Sequence, residues 1–213
     1  MRLTGIIALA LAAPAAHALT VDFEGIATPG GFVDNSSDFL DTDGFRFTAS
    51  GQSFLLSDGF FNIGTERVDN DSDYLTFATN TNITPHTLTV TTLSGVPFSI
   101  AQMDAVESTF GLGGDSVIEA TGIYAAGGSV ATTFTTAPHP PGTLGDFQTF
   151  SFDSSFTGLA SLVLTMQVKG TVDELAVDNL VLSQVPLPGA ALLFMPALVL
   201  LQGLGSRARA RRS

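Results

Sequence analysis

From Ser161 to Val168 the chain alternates strictly, with Leu162, Leu164, Met166 and Val168 on one side and Val163, Thr165 and Gln167 on the other. Successive side chains of an extended strand point to opposite faces, so this run predicts a strand with one face in a core. The same period-two reading fits Thr20 to Glu24, Gly44 to Ala49, Tyr74 to Thr79, His86 to Thr92, Phe98 to Val106, Ser116 to Ala125, Ser129 to Thr135, Phe147 to Phe152 and Glu174 to Leu182. Clusters of glycine, proline, asparagine and aspartate break the runs before any of them reaches helical length. About ten strands at that spacing predict an all-β chain, folded as a single jelly-roll-like antiparallel β-sandwich.

The 17 phenylalanines fit that core, because Phe23, Phe45, Phe47, Phe77, Phe98, Phe134, Phe150 and Phe152 fall within or beside predicted strands. Cysteine is absent, so neither disulfides nor thiolate metal sites stabilise the fold. No fixed-period repeat is present, and the glycine- and proline-rich stretch from Ala137 to Gly145 is short enough to be a loop within one domain.

Both ends read differently. Met1 and Arg2 give a positive start, Leu3 to Ala16 is apolar, and Ala16-His17-Ala18 has the small-x-small spacing of a signal-peptidase site. The run has no polar face to turn toward water and contains Pro14, which suits a signal peptide better than a domain helix. Residues 1–18 are therefore expected to be a signal peptide cleaved after Ala18, and residues 19–184 the sandwich domain.

The last segment, 185–213, has three zones: Val185-Pro186-Leu187-Pro188, an apolar run from Gly189 to Gly205, and an arginine cluster at Arg207, Arg209, Arg211 and Arg212. Two prolines keep the first zone extended and open to a protease. The apolar run is short for a membrane span, roughly 25 Å if helical. The arginines hold its end on the cytoplasmic side. A plain C-terminal anchor is the other reading of this design.

This tail resembles that of the PEP-CTERM family of exported proteins, in the variant whose tails begin Val-Pro-Leu-Pro-Ala, over about the last thirty residues. The resemblance implies export by the general secretion machinery and a transient tether to the inner membrane. It further implies processing by an exosortase-type membrane protease that reads Val185, Pro186, Leu187 and Pro188, followed by release to the cell surface or extracellular matrix. Leu187 stands where the founding pattern has Glu, and Gly189 precedes Ala190, so the cleaved bond is left open.

Charge is divided sharply along the chain. The whole sequence carries a net −12, but between the two ends only Arg46, Arg67 and Lys169 face all twenty carboxylates, a net of −17. Such a region repels phosphate backbones, and nucleic-acid binding is not expected.

Two carboxylate segments lie at opposite ends of the domain: Asp22-Phe23-Glu24-Gly25 on the first strand and Asp178-Asn179 on the last. First and last strands of a sandwich often lie side by side. The arrangement resembles carbohydrate-binding-module jelly rolls, whose opening Phe-Glu segment and closing Asp strand share a structural calcium ion. The resemblance implies Glu24 and Asp178 as ligands, with Asp22 and Asn179 as helpers. Calcium accepts six to eight oxygens in flexible geometry and needs neither histidine nor thiolate; solvated strand-end carboxylates are the competing reading. A second acidic run, Asp69-Asn70-Asp71-Ser72-Asp73, starts like a calcium loop, but Tyr74 and Asn80 stand at positions six and twelve, so it is not an EF-hand. Asp34, Asp38, Asp41 and Asp43 form a further acidic loop.

Catalysis finds little support. His86 and His139 are the histidines of the domain, and neither adjoins a nucleophile motif. Paired carboxylates could serve glycoside hydrolysis, but no pair stands out among the twenty. The expectation is a non-enzymatic surface or matrix protein. The alternative is a calcium-dependent carbohydrate-binding module for exopolysaccharide, and a secreted hydrolase is third.

Overall fold

The computed structural model describes residues 17–27, 32–34, 39–50, 52–56, 72–78, 86–107, 117–137, 145–167 and 174–184. All of them fall within one compact unit, His17–Val185. The expected signal residues 1–16 and the expected sorting segment 185–213, with Val185, Pro186, Leu187 and Pro188, lie outside the described residues.

The described residues form thirteen β-strands and no helix. One layer runs β2 (Phe32–Asp34), β5 (Gln52–Leu56), β6 (Tyr74–Ala78), β13 (Glu174–Gln184), β8 (Phe98–Glu107) and β11 (Gln148–Ser151), with β1 (Ala18–Val21) also on β13. The other runs β10 (Ser129–Thr135), β9 (Val117–Tyr124), β12 (Leu159–Gln167), β7 (His86–Thr92), β4 (Phe45–Ala49) and β3 (Leu40–Thr42). Every pairing is antiparallel, and the layers join through a single β12 to β8 partner pair, Leu159 with Phe98.

Alternation fills the space between the layers. Leu162, Leu164 and Met166 of β12 are fully buried, as are Leu88 and Val90 on β7 and Ile118 and Ala120 on β9. Phenylalanines knit the layers edge to face: Phe45 lies 5.6 Å from Phe98, and Phe23 lies 5.2 Å from Phe47. Such pairs add about 0.5–1.5 kcal/mol beyond the area they bury.

Two β-bulges set the shape of the first layer. Between Asp178 and Val181, β13 has one residue more than β8, and between Val181 and Leu182 the extra residue is on β8, at Ala101. An extra residue reverses which parity faces inward. On β13 the core positions change from Leu175 and Val177 to Leu180 and Leu182, and on β8 from Phe98 and Ile100 to Met103 and Ala105.

The strand boundaries differ from the expectation in instructive ways. The first strand ends at Val21 rather than running through Glu24, because Phe23 adopts a left-handed conformation at φ 56° and turns the chain. A bulky residue there carries about 1–3 kcal/mol of strain, offset here by a ring only 1% exposed. β3 was missed because its signal lies in the turn: Asp43 (φ 51°) and Gly44 (φ 81°) form a two-residue connection closed by the Thr42 and Phe45 pair. Asp-Gly with both residues at positive φ is a favoured hairpin turn.

Candidate functional site

The expected neighbours do meet: β1 pairs with β13 over Ala18 to Val21. β13 shares that edge between two partners, β6 along Glu174 to Val177 and β1 along Leu180 to Ser183. Asp178 and Asn179 occupy the gap between them, and the segments that leave β1 and lead into β6 converge there.

The contacts at this junction form a two-armed latch. Glu24 Oε1 accepts the Asp73 backbone N–H at 3.2 Å, while Asp73 Oδ2 accepts the Gly25 N–H at 3.1 Å. Ser72 then donates its hydroxyl to Asp178 Oδ2 at 2.6 Å. Glu24 and Asp178 are thus connected in sequence through the neighbouring Ser72 and Asp73. Asp22 turns back on its own segment, accepting the Glu24 N–H at 3.2 Å.

Asp178 is fully buried, and its partner across the strand pair is another carboxylate, Asp104. Like charges facing each other across strands repel. Asn179 answers this with donors: its backbone N–H reaches Asp178 Oδ1 at 2.7 Å, and its amide reaches Asp104 Oδ2 at 3.0 Å and Asp178 Oδ2 at 3.4 Å. The left-handed conformation of Asn179, φ 49°, aims both donors, and Asn is among the few residues that adopt it readily. Thr149 of β11 completes the set by donating to Asp104 Oδ1 at 2.6 Å.

The donor chemistry of this junction, all oxygen, suits calcium. The carboxylates are nonetheless shared out between two sets of hydrogen bonds, and among the described residues no three acidic or imidazole groups converge closely enough to hold a metal ion. Asp104, Ser72 and Asp73 were not singled out as partners of Asp178. Only the register of β8 on β13 reveals Asp104. Of the other acidic run, Asp41 is occupied by Arg46 in a two-bond pair at 2.8 Å, while Asp38, Asp69, Asn70 and Asp71 lie outside the described residues. His86 is 1% exposed on β7.

A second feature is the outer face of the second layer. Register places Thr48, Thr89, Val163, Thr121 and Ala131 in one row across five strands, and Thr87, Thr165, Glu119 and Thr133 in the next. Adjacent strands lie about 4.8 Å apart, so the rows form a regular array of methyl and hydroxyl groups, interrupted by the Glu119 carboxylate. Two exposed apolar side chains flank it, Phe39 at 43% and Ile123 at 42% exposure. The Arg46 guanidinium stacks 3.4 Å from the centre of the Phe39 ring. Its hydrogen bond from Arg46 holds the Asp41 carboxyl below its ordinary value and raises the arginine in turn.

No known family model matches the chain, and no curated protein does. Among solved structures, it is similar to a carbohydrate-binding module, TmCBM61, in complex with β-1,4-galactotriose, at 10% identity and a TM-score of 0.37, over 67% of this chain and 90% of that one. It is also similar to an exo-β-agarase at 13% identity and a TM-score of 0.43, over 81% of this chain but only 26% of that protein's length. A third is the K2 cleaved adhesin domain of Lys-gingipain, at 14% identity and a TM-score of 0.39, over 78% of this chain and 97% of that one.

Proposed function

We propose that this chain is an exported, non-enzymatic β-sandwich that binds neutral polysaccharide at the cell surface or in the extracellular matrix. The observation that carries the reading is the outer face of the second layer: ordered threonine rows with the exposed Phe39 ring at their rim. Sugar rings present apolar C–H faces and hydroxyl edges, so an aromatic ring beside a methyl and hydroxyl array complements both. The domain's net −17 disfavours anionic glycans and phosphates and leaves neutral ones.

Binding rather than cleavage is favoured by the placement of the carboxylates. Glycoside hydrolysis uses two carboxyl groups flanking an accessible bond. The cross-strand pair Asp104 and Asp178 is closed to substrate because Asp178 is fully buried. The delivery route belongs to the same proposal: a signal cleaved after Ala18, and a tail read at Val185 to Pro188 by an exosortase-type protease. Calcium at Glu24, Asp178, Asp22 and Asn179 would require these groups to leave their present hydrogen bonds and converge, and would then brace the junction rather than touch the glycan.

The test is retention of the full chain on a panel of immobilised neutral and anionic polysaccharides, with and without chelator. A polyoxyethylene detergent is used, because its head group carries no sugar. Neutral polymers should retain the protein, and Phe39→Ala should weaken retention by about 0.5–1.5 kcal/mol, up to roughly tenfold. Retention by anionic polymers alone, or none by any polymer, would sink the reading.

A further inference from the structure

On the outer side of the first layer, β1, β13, β8 and the loop after β11 enclose a groove of about 210 Å³. Its floor is low because the outward residues there are small: Ser99 and Ala101 on β8, Val181 and Ser183 on β13. The bulge at Ala101 bends β8 at this point, and on the β11 side the Ala101 carbonyl accepts the Phe152 N–H at 2.9 Å, which continues the β8 and β11 pairing and ties the wall to the floor.

The wall is a braced turn. Asp153 Oδ1 accepts the Ser155 N–H at 2.7 Å and also the Ser155 hydroxyl, and the Asp153 carbonyl accepts the Phe156 N–H at 3.1 Å. Phe156, 1% exposed, anchors the turn in the core, and Phe152 packs 5.0 Å from Phe134 and 4.9 Å from Phe156. No described residue donates to Asp153 Oδ2. The Ser155 side-chain bond, followed by its backbone bond, lowers the Asp153 pKa, so this carboxylate is ionised throughout the ordinary pH range.

Size and charge narrow the occupant. The volume corresponds to on the order of seven waters by liquid volume, less than the roughly 300–1,000 Å³ of pockets that enclose drug-sized ligands. Apart from Ala18, which the proposed signal cleavage removes, the lining's one charged side chain is Asp153, with hydroxyls at Ser99, Ser154, Ser183 and Thr157. An anionic ligand is repelled, and one carboxylate is too few for a cation that wants six or more oxygens. A neutral ring with vicinal hydroxyls suits it: two O–H groups can donate to one carboxylate, and Ala101 and Val181 offer a shallow apolar seat.

We propose that this groove seats one neutral pyranose unit, a chain end or side branch of the glycan, with adjacent hydroxyls on Asp153 and a ring face over Ala101 and Val181. The proposal rests on the neutral-glycan reading above and adds a second contact on the opposite layer. It is tested by adding neutral methyl hexosides, N-acetylhexosaminides and pentosides to the full chain in polyoxyethylene detergent while following the backbone amides of Ala101, Val181 and Ser183 by NMR. At least one glycoside should give saturable shifts confined to this groove. Ala101→Phe, which fills the floor from an exposed position, should weaken that binding by at least about tenfold with an unchanged melting temperature, and Asp153→Asn, which also loosens the turn, by about tenfold.

Absence of saturable shifts with every glycoside, shifts that require calcium, or binding indifferent to Ala101→Phe would each overturn the proposal. The two readings fail separately. Missing groove shifts with polysaccharide retention intact overturn the groove alone, whereas groove shifts in a protein that no polymer retains overturn the threonine face alone.

Discussion

Ser72 and Asp178, 106 positions apart in sequence, are joined by a hydroxyl-to-carboxylate hydrogen bond of 2.6 Å at the point where β13 changes partner from β6 to β1. Asp178 is fully buried, so each donor it keeps offsets the cost of taking a charge out of water. Ser72→Ala removes a donor and leaves the carboxylate in place. Hydrogen bonds to charged groups contribute about 1.5–3 kcal/mol, and urea unfolding of Ser72→Ala should show a loss of that order. In an Asp178→Asn background the same substitution should cost less, since the remaining acceptor is neutral; equal costs in both backgrounds would mean that the charge is not what Ser72 serves.

Gly122 of β9 tests the packing between the layers. A Cβ built there would meet Leu159 Cδ2 at 2.8 Å and Val130 Cγ1 at 3.0 Å; Leu159 is fully buried and a β-branched valine is stiff at χ1, so neither yields cheaply. Gly122→Ala should therefore destabilise by about 1–3 kcal/mol through overpacking, and Gly122→Val by more. Thermal melts of the two variants should separate clearly, and coincident melts would show that the space is larger than the structure gives.

Much of this architecture is legible as alternation, and the exceptions have physical causes. Ser161 to Met166 declares its inward face because no bulge interrupts it. In β8 and β13 the parity reverses at Ala101 and Asn179, so no single alternation describes either strand. The pairing of β1 with β13 is readable from their places as first and last strands of the sandwich. Asp104 was not, because its role comes from a cross-strand register that no local pattern encodes. The short hairpin of β3 and β4 was announced by Asp43-Gly44, a signal hidden by its setting among other aspartates.

Two exposed carboxylates should titrate below the ordinary aspartate range: Asp41, through its hydrogen bond from Arg46, and Asp153, through its bond from Ser155. A carboxylate with a depressed folded-state pKa binds its proton more weakly when folded. Whatever stability it contributes is present above the unfolded value and lost as pH falls through the folded one. Carbon-detected NMR titration should place both transitions in that acidic window. Ser155→Ala should return Asp153 toward 3.8 and leave Asp41 unmoved.

Calcium, if it braces the junction, must raise stability, because an ion bound only by the folded state shifts the equilibrium by mass action. At a hundred times its dissociation constant the gain is about 2.7 kcal/mol. Melting the full chain in calcium and in chelator should therefore give different midpoints, and Asp178→Ala should abolish the difference. Identical midpoints for the unsubstituted protein would remove the ion from the proposal while leaving the hydrogen-bonded latch as described.

On the proposed export route, the termini decide how the sandwich reaches its site of action. Cleavage after Ala18 would preserve Leu19, Thr20 and Val21, which pair with Leu182, Val181 and Leu180, so the edge of the first layer survives removal of the signal. At the other end, the apolar run from Gly189 to Gly205 is roughly 25 Å long as a helix, against a hydrocarbon core of about 30 Å, and Pro196 interrupts it. A span that short suits transient retention better than permanent anchoring. Mass spectrometry of the protein recovered from the cell surface should find an N-terminus at Leu19 and a C-terminus near Pro188, without Arg207 to Arg212. An intact arginine cluster would instead assign the tail to a plain membrane anchor and detach the sandwich from the exosortase route.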